Sequence, residues 1–206
     1  LELIGGGGAW RLGAVGTAQA GATACATPLA AALVVTTPYG EAHTLGIETI
    51  VADHPLATAR NVAASARVEA FVRATAADET LLVLLSGGGS ALLTAPAEGL
   101  ELEDLRAVTG GLLKAGATIG ELNAVRKHCE RLKGGRLARL VGADRGGEGR
   151  ASNDGPRVMV LVVSDVLGDR LDVISSGPLS ADPTTYADAV RAVESRGVGA
   201  AVPRVS

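Results

Sequence analysis

The chain has 206 residues, 47% of them hydrophobic and only 2% aromatic, with a formal net charge of −3. That composition excludes a disordered polypeptide, and the absence of a long basic tract and the scarcity of aromatics give little support to nucleic-acid binding by phosphate tracking or base stacking. No apolar run reaches the ~20 residues of a membrane crossing, no charged segment precedes an apolar one as in a secretory leader, and two distant cysteines, Cys25 and Cys129, form neither a disulfide framework nor a metal pattern, which fits a reducing cytoplasm.

In chain order, Leu1–Ile4 predicts a first strand running into the loop Gly5-Gly-Gly-Gly8, and Ala9–Ala26 a helix weakened by Gly13, Gly16 and Gly21. Ala32–Thr36 predicts a strand, Glu48–Val51 a short one, and Asp53-His-Pro55 a turn. Ala57–Ala76 predicts a helix with Ala64, Val68, Phe71, Val72 and Thr75 on one face. Leu81–Leu85 is an unbroken apolar run suited to a strand buried on both faces, and it breaks into Ser86-Gly87-Gly88-Gly89-Ser90. Glu101–Ala115 predicts an amphipathic helix closed by Gly116, and Glu121–Leu132 another, with Leu122, Val125, Cys129 and Leu132 inward. Gly134-Gly135 separates this from a short helix, Arg136–Leu140. Residues 142–157 predict a surface loop, Val158–Val163 a second strongly buried strand ending in Ser164-Asp165, and Tyr186–Ser195 a closing helix.

Strands alternating with helices predict the α/β class: a Rossmann-like three-layer domain with a mostly parallel sheet. Residues 1–197 are expected to form this domain and 198–206 a linker, and a chain that begins inside an apolar run is expected to be part of a longer protein, its second domain missing. Ligands of open α/β sheets collect outside the carboxyl ends of the strands. The loops at 5–8, 86–90 and 164–169 are therefore expected to converge on one pocket.

The serine–glycine loop has the chemistry of an anion cradle, combining close backbone approach, free amides and two hydroxyls. Asn123, Arg126 and Lys127 share a face if their segment is helical, with Lys133 two turns beyond Arg126. Such a cluster suits an anionic ligand and also suits a solvated helix face. Asp165 ends an apolar strand, with Asp169 and Asp172 close by, where a carboxylate can hold magnesium, orient a hydroxyl or cap a turn. Asp182 is expected to cap or form a turn, and His54 to make a turn-stabilising bond beside Asp53. His128 is expected to be exposed on its helix, and the three dispersed histidines make no metal site. Gly5 and Gly7 fit the start of a dinucleotide fingerprint, but Trp10 stands at its third glycine and no acidic residue follows about 20 positions on.

Taken together, Ser86-Gly-Gly-Gly-Ser90-Ala-Leu-Leu, Asn123-Ala-Val-Arg-Lys-His128, Leu132-Lys-Gly-Gly-Arg-Leu137, Ser164-Asp-Val-Leu-Gly-Asp169, Ser175-Ser-Gly-Pro178 and Asp182-Pro-Thr-Thr185 resemble the glycerate 2-kinase family, whose members carry a MOFRL-type second domain. The resemblance implies ATP-dependent phosphorylation of D-glycerate to 2-phosphoglycerate with magnesium, in a cleft between two α/β domains. It implies a small-molecule substrate and a nucleotide as partners, and is compatible with an oligomer. Carried onto this chain, Ser86, Gly87, Gly88, Gly89, Ser90 and Ser164 would contact substrate or phosphate. Asn123, Arg126 and Lys133 would bind the anionic groups, and Asp165 and Asp169 would face the metal or the reacting hydroxyl, with magnesium assigned to Asp165. The family's first glycine loop usually carries a lysine where this chain has Gly8. A nicotinamide-dependent hydroxypyruvate reductase and a non-catalytic anion-binding remnant of the kinase are the alternatives.

Overall fold

A computed structural model describes residues 7–12, 29–37, 47–143, 155–164 and 166–199. Among these residues one sheet has five strands, β1 (Gly7–Leu12), β2 (Leu29–Thr36), β3 (Glu48–Val51), β4 (Thr80–Leu85) and β5 (Arg157–Val162), in the order β3-β2-β1-β4-β5. β2 pairs parallel with β3, and β4 with β5, while β1 runs antiparallel to both β2 and β4. The four outer strands consequently point the same way around one reversed central strand. This is the mostly parallel α/β sheet expected from the alternation of elements.

Two strands differ from expectation. Gly7–Leu12, read as the end of a glycine loop and the start of a helix, is the middle strand, with Gly8 opposite Val34 and Leu84. The ladder on both sides satisfies its backbone and overrides its weak strand propensity; the remainder of that predicted helix, like Leu1–Ile4, lies outside the described residues. β5 was expected to be strongly buried. It is instead an edge strand whose apolar side chains are largely exposed, Met159 at 56%.

Helix α1 (Ala59–Arg73) starts at the capping box of Thr58 and Asn61 and packs Ala64, Val68, Phe71 and Val72 against Leu33, Val35, Leu81 and Val83 of the sheet. These apolar groups form the main core, joined by Leu92 of the one-turn helix α2 (Gly89–Leu92), by Leu132 and by Leu137 of α5 (Arg136–Leu140). A second core holds α3 (Leu102–Lys114), α4 (Ile119–Cys129) and α6 (Tyr186–Ser195) together through Val108, Leu112, Leu122, Val125, Ala189, Ala192 and Val193. Helix α4 stops at Cys129, earlier than its periodicity predicts, because Glu130 turns extended and bridges Pro96.

A charged clasp ties α4 to the end of α6. The Glu121 carboxylate accepts from the Arg196 guanidinium at 3.1 and 2.7 Å and from the Thr118 amide at 2.7 Å. First the Arg196 bonds, then those of Thr118, hold its pKa down to about 2. A folded-state pKa below the unfolded one means that the stabilisation is present at neutral pH and disappears as pH falls from about 4 towards 2. Glu121→Gln should flatten this part of the acid limb, read as the urea midpoint against pH; an unchanged acid limb would show that the clasp contributes nothing.

Candidate functional site

The sheet's carboxyl edge is where the polar loops meet. β4 leaves the sheet at Leu85, and Val163 N donates to Leu85 O at 2.9 Å, so Ser164 emerges beside Ser86. Because β1 is reversed, its amino end lies at this same edge: Gly7 is opposite Val35, and Gly8 opposite Leu84. The glycine run thus reaches the predicted edge from the opposite chain direction. Gly5 and Gly6 lie outside the described residues.

After Ser86 the chain turns through Gly88, whose φ of +82° favours glycine, and winds into α2. The amides of Gly87 to Ser90 donate to no described residue, leaving them free for an anion. Against this loop stands a turn that the sequence reading did not place in the site, Ser175-Ser176-Gly177, with φ of +53°, +61° and +60°. Two consecutive serines held left-handed store backbone strain. Their hydroxyls explain the arrangement. Ser175 Oγ donates to Ser86 O at 3.4 Å, Ser176 Oγ donates to Asn123 Oδ1 at 3.2 Å, and Ser176 Oγ lies 2.9 Å from Ser90 Oγ. A hydroxyl has one proton. Ser176 uses its proton on Asn123, so Ser90 donates to Ser176 and keeps lone pairs to accept. Loop, turn and α4 thus form one hydrogen-bonded unit containing Ser86, Ser90 and Asn123.

The cations of the predicted cluster divide into different roles. Asn123, Lys127 and Lys133 are 4%, 2% and 0% exposed, so the solvated-face reading is set aside. Lys127 Nζ lies 3.1 Å from Asp182 Oδ1 and 3.8 Å from Asp172 Oδ2. Asp182 also accepts from the Thr184 amide and hydroxyl, forming the expected turn. Burial pushes the Asp182 pKa up, but the Thr184 bonds and Lys127 outweigh it and leave it lowered. Lys133 Nζ donates to Glu130 Oε2 at 2.8 Å, Ser90 O at 2.9 Å and Leu93 O at 2.5 Å. Its three protons are all engaged, so in this conformation Lys133 holds the loop rather than facing a ligand. His128, expected to be exposed, is half-buried edge-on to Tyr186, its Nδ1 2.7 Å from Ala124 O.

Arg126 is different. It is half-buried, and among the described residues no hydrogen bond or ion pair engages its guanidinium. Burial lowers its pKa and Glu130 opposes that shift. It lines a cleft of about 270 Å³ between the two cores, together with Ser90, Thr94, Leu105, Arg106 and Glu130. A half-buried cation with no hydrogen-bonded partner among the described residues, at the wall of a cleft, is a candidate for binding an anion.

Among the described residues Ser164 bonds locally, its hydroxyl donating to Val166 O and accepting from Val166 N, both at 3.2 Å. Asp169 is exposed at φ +49°, and no described contact ties its carboxylate to the cluster. Asp165 lies outside the described residues. No group of three or more metal-ligating side chains occurs among those described. Magnesium needs less, because one or two carboxylates plus substrate phosphates suffice, and the hard oxygens of this segment fit that requirement.

The sheet and its loops define an α/β domain of Rossmann-like build with a serine–glycine loop at its carboxyl edge. The chain belongs to the family described as a domain of unknown function, DUF4147, whose profile matches residues 3–205. It is 42% identical over 169 residues to the D-glycerate 2-kinase of Thermotoga maritima, covering 80% of this chain and 37% of that protein. It is 39% identical over 171 residues to the glycerate 2-kinase of Pyrococcus horikoshii, covering 82% and 36%. The crystal structure of glycerate kinase from Thermotoga maritima superposes with a TM-score of 0.70 at 39% identity, over 82% of this chain and 40% of that one. The motif resemblance to glycerate 2-kinases is thus borne out. The chain spans little more than a third of these proteins.

Proposed function

We propose that this chain supplies the anion-binding wall of an ATP-dependent glycerate kinase that forms 2-phosphoglycerate in a reducing cytoplasm. The observation that carries the reading is the half-buried Arg126 guanidinium, unpaired among the described residues, in a cleft shared with Ser90. Phosphoryl transfer is chiefly positioning and charge neutralisation, and both tasks can be assigned to residues of this chain. The free amides of Gly87 to Ser90 and the accepting hydroxyl of Ser90 line the sheet edge for phosphate or substrate oxygens. Arg126 pairs with the glycerate carboxylate, for which its planar fork is suited. Asn123, through Ser176, fixes the direction of the Ser90 hydroxyl, and Lys133 fixes the backbone of the same turn. Ser164 follows β5 beside Ser86, and the motif it opens supplies Asp165 or Asp169 as the carboxylate that orients the 2-hydroxyl. Magnesium, held by Asp165 with Asp169 near, would neutralise charge on the phosphate oxygens. Gly8 places no cation at its edge position, which leaves Arg126 and Arg106 as the cations lining the cleft among the described residues.

Arg126→Ala should lower kcat/KM for D-glycerate by about 10²- to 10³-fold, the scale of losing one preorganised charge stabiliser, with the denaturation midpoint nearly unchanged. A coupled ADP-release assay measures it, and near-normal turnover would remove Arg126 from the site. Oxidation of reduced nicotinamide by hydroxypyruvate, with no coupling enzymes present, would favour the reductase instead. Calorimetric binding of ATP and glycerate without turnover would favour the binding remnant.

A further inference from the structure

Asn61 is fully buried, yet its side chain serves two loops at the surface. Its Oδ1 accepts from the Asp53 amide at 3.1 Å and the Thr58 amide at 2.9 Å. Its Nδ2 donates to the carbonyls of Asp53 and Ala91, each at 2.8 Å. Burying a carboxamide is costly unless its bonds are made, and here they fix the 53–58 turn to α2, immediately after the serine–glycine loop. The effect is to set the His54 imidazole over Gly88. A Cβ built on Gly88 would stand 3.1 Å from both Cδ2 and Nε2 of His54, so the ring fills the space that any side chain there would need.

The bond expected between Asp53 and His54 is not what holds this ring. The Asp53 carboxylate accepts from the Thr58 hydroxyl at 2.5 Å and lies 3.8 Å from Arg60. His54 is exposed, and no described residue bonds its ring nitrogens. The next residues, Pro55, Leu56 and Ala57, wall the cleft that contains Arg126 and Ser90. An imidazole whose nitrogens bond no described residue is thus pinned against a loop with free amides, by a buried clasp that also caps α1.

We infer that His54 contacts ligand, its imidazole donating an N–H to an oxyanion seated at the serine–glycine loop. The inference rests on the kinase reading and adds a residue to it. The oxyanion is a phosphate of the nucleotide or the carboxylate of glycerate, and the experiment separates the two. The chain has three histidines, so ring Cε1–H resonances in a carbon–proton correlation spectrum are few, and His54→Gln assigns one of them. A non-hydrolysable ATP analogue with magnesium is added to one sample and D-glycerate to another. The expected result is a shift of the His54 signal in one arm, which names the oxyanion, while the His128 signal stays. In turnover, His54→Ala should raise KM for that same ligand by about tenfold or more, the scale of one charge-assisted hydrogen bond. His54→Gln, which keeps an N–H donor, should recover most of the loss. The melting temperature of both variants should match the parent, as His54 is exposed. Calorimetric binding of either ligand with a static His54 signal in both arms overturns the inference and leaves the kinase reading intact. Failure of both ligands to bind overturns the two together.

Discussion

Lys133→Met is expected to destabilise the fold by about 3–5 kcal/mol, the range for removing one partner of a buried ion pair. Lys133 is fully buried and its ammonium meets Glu130, Ser90 O and Leu93 O. Burial pulls its pKa down while Glu130 pulls it up. Among the described residues the variant leaves the Glu130 carboxylate, itself 4% exposed, with the Ala95 amide at 3.1 Å as its one remaining hydrogen bond, and strips the carbonyls of Ser90 and Leu93 of the Lys133 donor. An orphaned buried charge and unpaired carbonyls each carry a desolvation penalty. Methionine matches the length of the stem, so lost packing contributes little and the electrostatic loss dominates. Adding Glu130→Gln should return a substantial part of the loss, since it removes the stranded charge. Urea unfolding of the single and double variants measures both steps. A single variant within about 1 kcal/mol of the parent would mean that the pair contributes no more than an exposed one.

The parts of the fold legible in the sequence are those set by local pattern. Leu81–Leu85 reads as a buried strand from its unbroken apolar run, and the break at Ser86 marks where the loop begins. Helices α3 and α4 follow from periodicity, and α4 starts where Thr118 and Glu121 form a capping box. The unreadable parts depend on partners distant in the chain. Gly7–Leu12 carries too little strand propensity to announce itself, and becomes a strand because β2 and β4 offer ladders on both sides. The run Arg157–Val162 has the composition of a core strand, but composition cannot say whether a neighbour exists, and the sheet ends there.

The site divides in the same way. Ser86–Ser90 and Arg126 stood out in the sequence as candidates for anion binding, the loop from its glycine turn and amides, the arginine from its place in a local surplus of cations. That Lys127 would be taken up by Asp182, 55 residues later, was not legible. Nor was the bond from Ser176 to Asn123, across 53 residues. The doublet Ser175-Ser176 before Gly177 was the available signal for that turn. The resemblance drew attention to it, but no local pattern gave it a task.

Gly89→Ala tests that turn most severely. An alanine Cβ at this position would lie 2.1 Å from Ser175 Oγ and 2.8 Å from Ser175 Cβ. Rotating the hydroxyl relieves the first contact but not the second, so the backbone of residues 174–177 must retreat from α2. That retreat breaks the Ser175–Ser86 and Ser90–Ser176 contacts and releases the direction of the Ser90 hydroxyl. The expected cost is about 3 kcal/mol, the upper end of the overpacking range. Turnover should fall about 100-fold or more, because displacements of about an ångström have that effect on aligned reacting groups. The double variant Gly89→Ala with Ser175→Gly removes the obstructing side chain and also relieves a left-handed non-glycine residue at φ +53°. Stability should therefore recover to within about 1 kcal/mol of the parent, which a double-mutant cycle reads directly. If the double variant is no better than the single one, the clash lies elsewhere and the close packing of turn on loop is not what holds the site together. If stability recovers while turnover stays low, the Ser175 hydroxyl itself is required at Ser86.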